Sequence, residues 1–364
     1  MQASIIIPTC NRADQLFRCI KSLVSIDMAF DEYEIIVIDN GSKDNTKEVV
    51  DKFKKEFTKH NIRYFYDDIP GLLTGRHRGA KEAKSELLVF VDDDIHADKG
   101  WLAAIVDTFN RFPDVHLVGG KCLPKYEKEP PVWIDYFWHS LPNGGKMLPE
   151  LSLCDFGDTE KEISPNDVWG LNYSIRKKTF NELGGFNPDT VPIISQPFQG
   201  DGESGLSNKV ITKKYKALYQ PKAFVHHEVP SERMTLGYFD KRYFFQGICN
   251  SYTEIRRNNG FSSPVSYANI NRKIKNILGP IYRLVFQKQQ ESILPESNFE
   301  KEMLLVRFRA MEKAGYNFHQ EMARKNPVVM EWVLKENYWN YSIPGFEKYK
   351  INLKDIDNDT RNKT

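Results

Sequence analysis

The sequence predicts an α/β fold of the Rossmann-like class, with a mostly parallel sheet flanked by helices and a helical C-terminal appendage. Short apolar runs alternate with helical patterns in the N-terminal part, and these runs are continuously apolar. Such runs are typical of parallel strands that are covered on both faces. Acidic residues follow two of the runs, and ligands bind parallel sheets at the carboxyl ends of the strands.

The individual elements follow from the spacing of apolar residues. Strands are predicted at 4–8, 34–39, 62–66 and 86–91, and helices at 12–24, 44–57 and 74–83. Residues 125–168 are rich in Pro, Trp and Tyr, which predicts irregular loops or lids. Later helices are predicted at 238–256, 269–290, 298–313 and 327–337. We therefore expect a core domain at 1–260, a helical region at 261–350 and a charged, flexible tail at 351–364.

The composition excludes several classes of protein. The 364 residues are 40% hydrophobic and 27% charged, and the net charge of +2 gives no global bias toward nucleic acid. Five scattered cysteines without a CxxC pair argue against a zinc site or a disulfide framework. No run approaches the roughly 18–20 apolar residues that span a bilayer, and the start lacks the features of a secretory signal. We expect a cytoplasmic protein.

The strongest single motif is Asp92-Asp93-Asp94, directly after the apolar run ELLVFV. Adjacent carboxylates repel one another unless a cation neutralises them, and oxygen ligands favour Mg²⁺ or Mn²⁺. A solvated acidic turn is the alternative. Asp39 ends the second predicted strand and should lie on the same edge, although a lone Asp there is also typical of a turn or helix cap.

A second motif, GLLTGRHRGA at 71–80, lies between these acids. It lacks the Lys-Ser/Thr ending of a phosphate-binding P-loop. Arg76 and Arg78 are suited to hold a diphosphate, because a guanidinium binds phosphate oxygens in a bidentate manner. An exposed helical arginine is the other interpretation.

Taken together, the motifs resemble those of the family 2 inverting glycosyltransferases, which have the GT-A fold. The resemblance covers roughly residues 3–250. It is carried, in order, by PTCNR at 8–12, Asp39, GLLTGRHRGA, VDDD at 91–94, WGLN at 169–172 with GGF at 184–186, GDGE at 200–203, and HHEVP at 226–230 with Arg233.

The resemblance implies a role for each matching residue. The donor nucleotide would contact Pro8, Thr9, Asn11, Arg12, Asp39, Arg76, Asp92 and Asp93, with Asp39 facing the uracil and Arg76 facing the base or the diphosphate. The metal, Mn²⁺ or Mg²⁺, would be bound by Asp94 with His227 and Asp92, and His226 is the neighbouring alternative to His227. The acceptor would contact Trp169, Gly170 and Asn172.

Inverting transfer needs one carboxylate base that takes the proton of the acceptor hydroxyl. Glu203 is the favoured candidate and Asp201 is the second. Gly202 and Gly205 stand where the family often has acids, so GDGESGL departs from the usual pattern.

The resemblance therefore implies a transferase that uses a nucleotide-sugar, in particular a UDP-sugar, and a glycan or lipid-linked glycan acceptor. It also implies work in the synthesis of a bacterial surface polysaccharide or glycoconjugate. The basic amphipathic pattern at 270–287 predicts a helix that packs on the core or lies on the inner face of the plasma membrane. The alternative functions are a sugar-1-phosphate nucleotidyltransferase and a non-catalytic binding relative.

Overall fold

The structure is a computed structural model that describes residues 1–69, 71–141, 144–261 and 296–339. The helices are α1 (Ala13–Leu23), α2 (Thr46–Glu56), α3 (Leu72–Glu82), α4 (Trp101–Arg111), α5 (Lys177–Glu182), α6 (Gly202–Thr212), α7 (Leu236–Arg257), α8 (Glu296–Lys325) and α9 (Pro327–Leu334). The strands are β1 (Ala3–Thr9), β2 (Tyr33–Asp39), β3 (Asn61–Tyr66), β4 (Leu87–Val91), β5 (Ile95–Ala97), β6 (Val115–Gly119), β7 (Cys122–Tyr126), β8 (His139–Ser140), β9 (Lys146–Leu148), β10 (Leu153–Asp155), β11 (Lys161–Ile163), β12 (Asn172–Arg176), β13 (Lys216–Tyr219) and β14 (Val225–Val229).

The main sheet has eight strands in the order β11-β13-β6-β12-β4-β1-β2-β3. Strand β1 pairs in parallel with β2 and β4, and β2 pairs in parallel with β3. Strand β12 pairs antiparallel with both β4 and β6, so the sheet is mixed. The α/β fold and the seven N-terminal elements predicted from the sequence are confirmed, because continuous apolar runs specify strands that are buried on both faces.

The expectation of loops over 125–168 is wrong in part. Strands β8 to β11 and the end of β7 lie in this region, and a second sheet of six strands forms in the order β5-β14-β7-β10-β9-β8. Strands of two or three residues are too short to show an apolar period, which is why the sequence pattern did not reveal them. This second sheet carries β14 next to β5, the strand that directly follows the three aspartates.

Two glycines allow α3 to lie directly on β1. A Cβ atom on Gly79 would lie 2.2 Å from Cγ2 of Ile6, and one on Gly75 would lie 2.7 Å from Cβ of Pro8. Such contacts are far shorter than van der Waals separation, so only glycine allows this approach. The glycines of GLLTGRHRGA therefore fix α3 against the sheet, and with it the position of Arg76.

The chain divides into two compact units, one formed by Met1–Phe239 with 335–339 of the described residues and one by Asp240–Leu334. Within the second unit α7 and α8 approach closely, since a Cβ on Gly247 would lie 1.9 Å from the carbonyl oxygen of Glu312. The predicted helices at 238–256, 298–313 and 327–337 are confirmed, and the one at 269–290 lies outside the described residues. The predicted domain boundaries at 260 and 350 stay predictions. None of the described helices is both long and apolar enough to cross a membrane.

Candidate active site

Strand pairing brings the predicted donor-site residues to one edge of the main sheet. Thr9 and Asp39 are partners in the parallel register of β1 and β2, and β4, which leads into the three aspartates, lies on the other side of β1. The hydroxyl of Thr9 donates a hydrogen bond of 2.7 Å to Oδ2 of Asp93. Residues that are more than 80 positions apart in the sequence therefore form one acidic edge.

Asp94 is buried at this edge, with 2% of its surface exposed. Its Oδ2 accepts hydrogen bonds from Arg12 at 2.7 Å and from Arg233 at 2.9 Å. Its Oδ1 is buried without a hydrogen-bond partner among the described residues. Burial works to raise the pKa of Asp94, but its polar and positive neighbours, with His227 the strongest of them, outweigh burial and hold the pKa below its ordinary value.

The pKa of Asp93 is shifted in the opposite direction to that of Asp94. It is buried and pairs with Arg12 at 2.9 Å, between its Oδ1 and Nη1 of the arginine. Burial and the charge of Asp94 raise the pKa of Asp93 more than Arg12 lowers it. Two adjacent carboxylates thus share one guanidinium, and a further cation would lower the repulsion between them.

The pairing of β14 with β5 separates the two histidines. His227 is the register partner of Ile95, and successive side chains of a strand point to opposite faces, so His226 faces away from His227. Nε2 of His227 lies 3.4 Å from Oδ2 of Asp94. Nδ1 of His227 donates to the carbonyl oxygen of Leu151 at 3.0 Å, which leaves Nε2 as the acceptor of a 2.8 Å hydrogen bond from Arg233.

The nucleotide-facing candidates lie at the ends of β1 and β2. Asp39 is buried and accepts hydrogen bonds from the Tyr64 hydroxyl at 2.7 Å and the Ser42 amide at 2.8 Å. It therefore does form the turn contact that was the alternative interpretation. Asn11 has a positive φ of 53°, and its Oδ1 accepts from the Lys43 amide at 2.7 Å. Both residues shape the loops that follow the strands.

Arg76 is deeply buried, with 2% of its surface exposed. Its Nη2 lies 3.1 Å from Oδ1 of Asp92, and its Nη1 lies 3.5 Å from Oε2 of Glu203. Burial tends to lower the pKa of Arg76, but Asp92 and Glu203 raise it more, so the guanidinium keeps its charge. The neighbouring Arg78 has a different environment, because it is 39% exposed and pairs with Glu82 along the helix at 3.0 Å.

The two candidate bases differ in their environments. Glu203 lies in the first turn of α6, its side chain is 30% exposed, and its Oε1 accepts a 3.4 Å hydrogen bond from the Gly170 amide. Asp201 is 9% exposed, and its Oδ1 accepts a 2.8 Å hydrogen bond from Asn187. Of the two, Glu203 is the carboxylate that is joined to the acidic edge through Arg76.

Comparison with known proteins identifies the kind of enzyme. Residues 4–150 match the family model described as glycosyl transferase family 2, and these residues include the acidic edge and α3. The chain is similar to that family over these residues. It is a glycosyltransferase, and the alternative of a sugar-1-phosphate nucleotidyltransferase is set aside.

Individual relatives agree with this assignment. A glucosyl-dolichyl phosphate glucuronosyltransferase of Haloferax volcanii is 21% identical over 68% of this chain and 75% of its own length. A GalNAc(5)-diNAcBac-PP-undecaprenol beta-1,3-glucosyltransferase of Campylobacter jejuni is 29% identical over 64% of this chain and 67% of its own. Against other curated relatives the chain spans about half of their length, 55% and 47%.

A solved structure shares the fold of this glycosyltransferase. It is a mannosyltransferase from Pyrobaculum calidifontis in complex with GDP-Man and Mn²⁺, with a TM-score of 0.51 and 16% identity, and the match covers 93% of this chain and 84% of that one.

The residues expected to contact the acceptor have different environments. Asn172 is 1% exposed, its Oδ1 accepts from the Trp101 indole at 2.9 Å, and its Nδ2 donates to the carbonyl oxygen of Ala223 at 2.9 Å. Both ends of its side-chain amide are therefore hydrogen-bonded within the fold. Trp169 is half-buried against the core, and the Gly170 amide faces Glu203.

Two residues that were not among the sequence candidates also lie at the candidate site. Arg233 contacts both Asp94 and His227, and its signal was the late histidine motif in which it occurs. Asp189 adds its charge near Glu203 and Arg76, and burial together with Glu203 raises its pKa. No sequence motif indicated Asp189, because it comes close to Arg76 and Glu203 only through the path of the loop before α6.

The residues at the acidic edge fit a divalent cation such as Mn²⁺ or Mg²⁺. Asp94 offers a buried carboxylate oxygen without a hydrogen-bond partner among the described residues. His227 could add the lone pair of Nε2 once the hydrogen bond that Arg233 donates to it is released. Within the part of the chain that the structure describes, no group of three or more His, Cys, Asp or Glu forms a complete metal site. This composition suits an ion that is shared with a diphosphate, since Mg²⁺ is commonly held by one or two carboxylates and substrate phosphates.

Proposed function

We propose that this glycosyltransferase moves a hexosyl or N-acetylhexosaminyl group from a UDP-sugar to a hydroxyl group of a glycan or lipid-linked glycan, with inversion at the anomeric carbon. The observation that carries the proposal is the link Asp92–Arg76–Glu203, which joins the acidic edge to an accessible carboxylate. The donor would lie along the edge formed by Thr9, Arg12, Asp39 and Asp92 to Asp94, and the acceptor would approach Glu203.

Each part of the edge has a task in this mechanism. A bound divalent cation would neutralise charge on the leaving diphosphate. Asp94 and His227 would hold that cation, while Arg12 keeps Asp93 and Asp94 in place. Asp39 would orient the nucleotide at the end of β2.

Glu203 would act as the single base. Its carboxylate would take the proton of the acceptor hydroxyl as the oxygen forms its bond to the anomeric carbon and the bond to the diphosphate breaks on the opposite side. One base with direct attack gives inversion. The 30% exposure of the Glu203 side chain allows contact with an acceptor that arrives from solvent.

The relatives support the choice of acceptor and cation. The names of the Haloferax and Campylobacter proteins include dolichyl phosphate and a diphosphate-linked undecaprenol, so a lipid-linked acceptor fits this family. The structural neighbour was solved with GDP-Man and Mn²⁺, which favours a metal-assisted donor site. We place the reaction in the synthesis of a bacterial surface polysaccharide or glycoconjugate, in the cytoplasm or at the inner face of the plasma membrane.

Nucleoside diphosphate release tests the donor and the cation. The purified protein is incubated with Mn²⁺ or Mg²⁺ and a panel of UDP-sugars and GDP-sugars, with and without undecaprenyl-diphosphate-linked glycans. We expect UDP release that requires metal, stops with EDTA and increases with acceptor. Binding of donors without any release would point to a non-catalytic relative, and release that is unchanged by EDTA would contradict metal assistance.

Two matched substitutions test the base. We expect Glu203→Gln to keep donor binding and lose about 10²–10⁴-fold in turnover, the usual contribution of a general base. Asp201→Asn weakens a hydrogen bond to Asn187, so it should lower stability by about 1 kcal/mol and keep turnover within about tenfold. Glu56→Gln, at the exposed end of α2, is the control. Normal turnover of Glu203→Gln with loss in Asp201→Asn would move the base to Asp201.

Membrane contact is a separate part of the proposal. The basic segment at 270–287 lies outside the described residues, so its helix and its contacts stay predictions. Cosedimentation with vesicles that contain an anionic phospholipid, compared with neutral vesicles, tests it. Absence of binding to both would remove the membrane contact from the proposal.

A further inference from the structure

We infer that Arg76 is a positioning residue that sets the distance between the base Glu203 and the donor-side acid Asp92. The sequence resemblance placed Arg76 against the nucleotide base or the diphosphate. The geometry points instead to a guanidinium that spans two carboxylates of the protein, at 3.1 Å from Asp92 and 3.5 Å from Glu203. This inference rests on the proposed function, because it takes Glu203 as the base.

The burial of Arg76 makes this arrangement obligatory. A charged group that is 2% exposed is costly unless opposite charges and hydrogen bonds compensate for lost water. Asp92 follows β4 and Glu203 begins α6, so the two partners come from separate elements of the fold. The planar fork of an arginine can bind both at fixed directions, which the single ammonium of a lysine cannot.

Gly170 creates the space for the guanidinium. A Cβ atom on Gly170 would lie 2.4 Å from Nη2, 2.9 Å from Nη1 and 3.0 Å from Cζ of Arg76. The Gly170 amide also donates to Oε1 of Glu203 at 3.4 Å. The glycine of the WGLN motif therefore admits Arg76 on one side and holds Glu203 through its backbone, a role that differs from the acceptor contact expected from the sequence.

The ring of Phe186 completes the environment, with Cζ of Arg76 5.1 Å from the ring centroid. Phe186 is 1% exposed and follows the glycine pair of the GGF motif. The WGLN and GGF motifs thus both serve the same arginine. The two motifs are more than ten residues apart in the sequence, and their contact with the same arginine explains why they lie together in one site.

The inference predicts that loss of Arg76 lowers turnover and leaves donor affinity nearly unchanged. Removing the positive charge leaves Glu203 without its cationic partner, so the carboxylate loses the contact that joins it to Asp92. The base would also lose its fixed position relative to the donor, and small misplacements reduce rates strongly. The donor's own contacts at Thr9, Asp39 and Asp94 would remain.

The test compares Arg76→Gln, Arg76→Lys and Gly170→Ala with Lys81→Gln, an exposed residue of the same helix, as the control. Turnover is measured as kcat and KM for donor and acceptor, and donor affinity is measured by calorimetry with a UDP-sugar and Mn²⁺. For Arg76→Gln we expect kcat to fall about 10²-fold and donor Kd to change less than about fivefold. Arg76→Lys keeps the charge and should recover part of the rate.

Gly170→Ala keeps the arginine and displaces it, so it should lower turnover about tenfold with little change in donor affinity. It also keeps the inference testable if Arg76→Gln does not fold, which thermal unfolding of each variant will show. A loss of donor affinity that parallels the loss of turnover would overturn the inference and assign Arg76 to the diphosphate. Full activity of Glu203→Gln would instead overturn the proposed base, whatever the Arg76 variants do.

Discussion

The proposed active site has two ends, one that would hold the metal (the metal end) and one that would hold the base (the base end), and they are built differently. At the metal end, Asp94 is 2% exposed and contacts Arg12, Arg233 and His227, all of which are positioned by strands or by residues next to them. At the base end, Glu203 is 30% exposed and pairs with Arg76 at the longer distance of 3.5 Å. The metal end is therefore buried and densely paired, while the base end is open to solvent.

The difference follows from the tasks of the two ends. A diphosphate and its cation are the same for every sugar, so they can bind to groups that the sheet register fixes in advance. An acceptor has to enter and leave, so its base must remain accessible to solvent. The comparison teaches that substitutions at the metal end should abolish binding and turnover together, whereas substitutions at the base end should separate them.

The largest expected effect is at the metal end. We expect Asp94→Asn to lose about 10³-fold or more in turnover, about 4 kcal/mol, together with metal-dependent donor binding, because the cation loses its principal carboxylate. Steady-state UDP release and calorimetry with and without Mn²⁺ measure both. Asp107→Asn, on the exposed side of α4, is the matched control. Full donor binding by Asp94→Asn with Mn²⁺ would break the comparison, since the two ends would then behave alike.

A smaller effect sharpens the description of the metal end. Arg233 donates to Nε2 of His227 at 2.8 Å and to Asp94 at 2.9 Å, so it occupies the two groups that fit a cation. We expect Arg233→Gln to bind Mn²⁺ alone about tenfold more tightly, measured by the free-ion signal in electron paramagnetic resonance, while its turnover falls.

The control for this experiment is Arg18→Gln, which removes a half-exposed arginine that pairs with Glu228. We expect Arg18→Gln to leave metal affinity unchanged. Weaker Mn²⁺ binding by Arg233→Gln would mean that the arginine supports the cation site and does not compete for it.

The smallest effect concerns the support of the base end. His77, next to Arg76 on α3, accepts a 2.9 Å hydrogen bond from the Phe186 amide, and burial lowers its pKa from 6.5 to about 3. The unfolded chain therefore takes up the proton first, so this contribution to stability is complete above pH 6.5 and is lost as the pH falls toward 3.

Replacing this histidine should remove that dependence. Between pH 6 and pH 4, the free energy of unfolding falls as the pH falls. We expect this slope to be smaller in His77→Gln than in the unsubstituted protein, by about 1.4 kcal/mol per pH unit. Urea unfolding at three pH values measures the slopes. The exposed His139→Gln is the control, and equal slopes for His77→Gln and the unsubstituted protein would contradict a buried neutral His77.

Much of the site was visible in the sequence at the level of which residues take part. Thr9, Asp39 and Asp92 to Asp94 follow strands that the apolar runs specify, and parallel pairing brings the ends of such strands to one edge. The contacts of Arg76 and Asn172 were not visible in the sequence, because both are buried among side chains from distant segments. Neither periodicity nor motif spacing reports on such contacts.

The sequence by itself determined the first four strands of the main sheet region and the three helices between them, the resemblance to the family 2 glycosyltransferases and the acids at the sheet edge, since these depend on local apolar patterns and short motifs. Only the tertiary structure decided which histidine faces Asp94, because that choice depends on the register of β14 against β5. It also decided that Arg76 joins Asp92 to Glu203 and that Gly170 makes room for it. The physical reason is that charge pairing and close packing act between atoms that are near in space, whatever their separation along the chain.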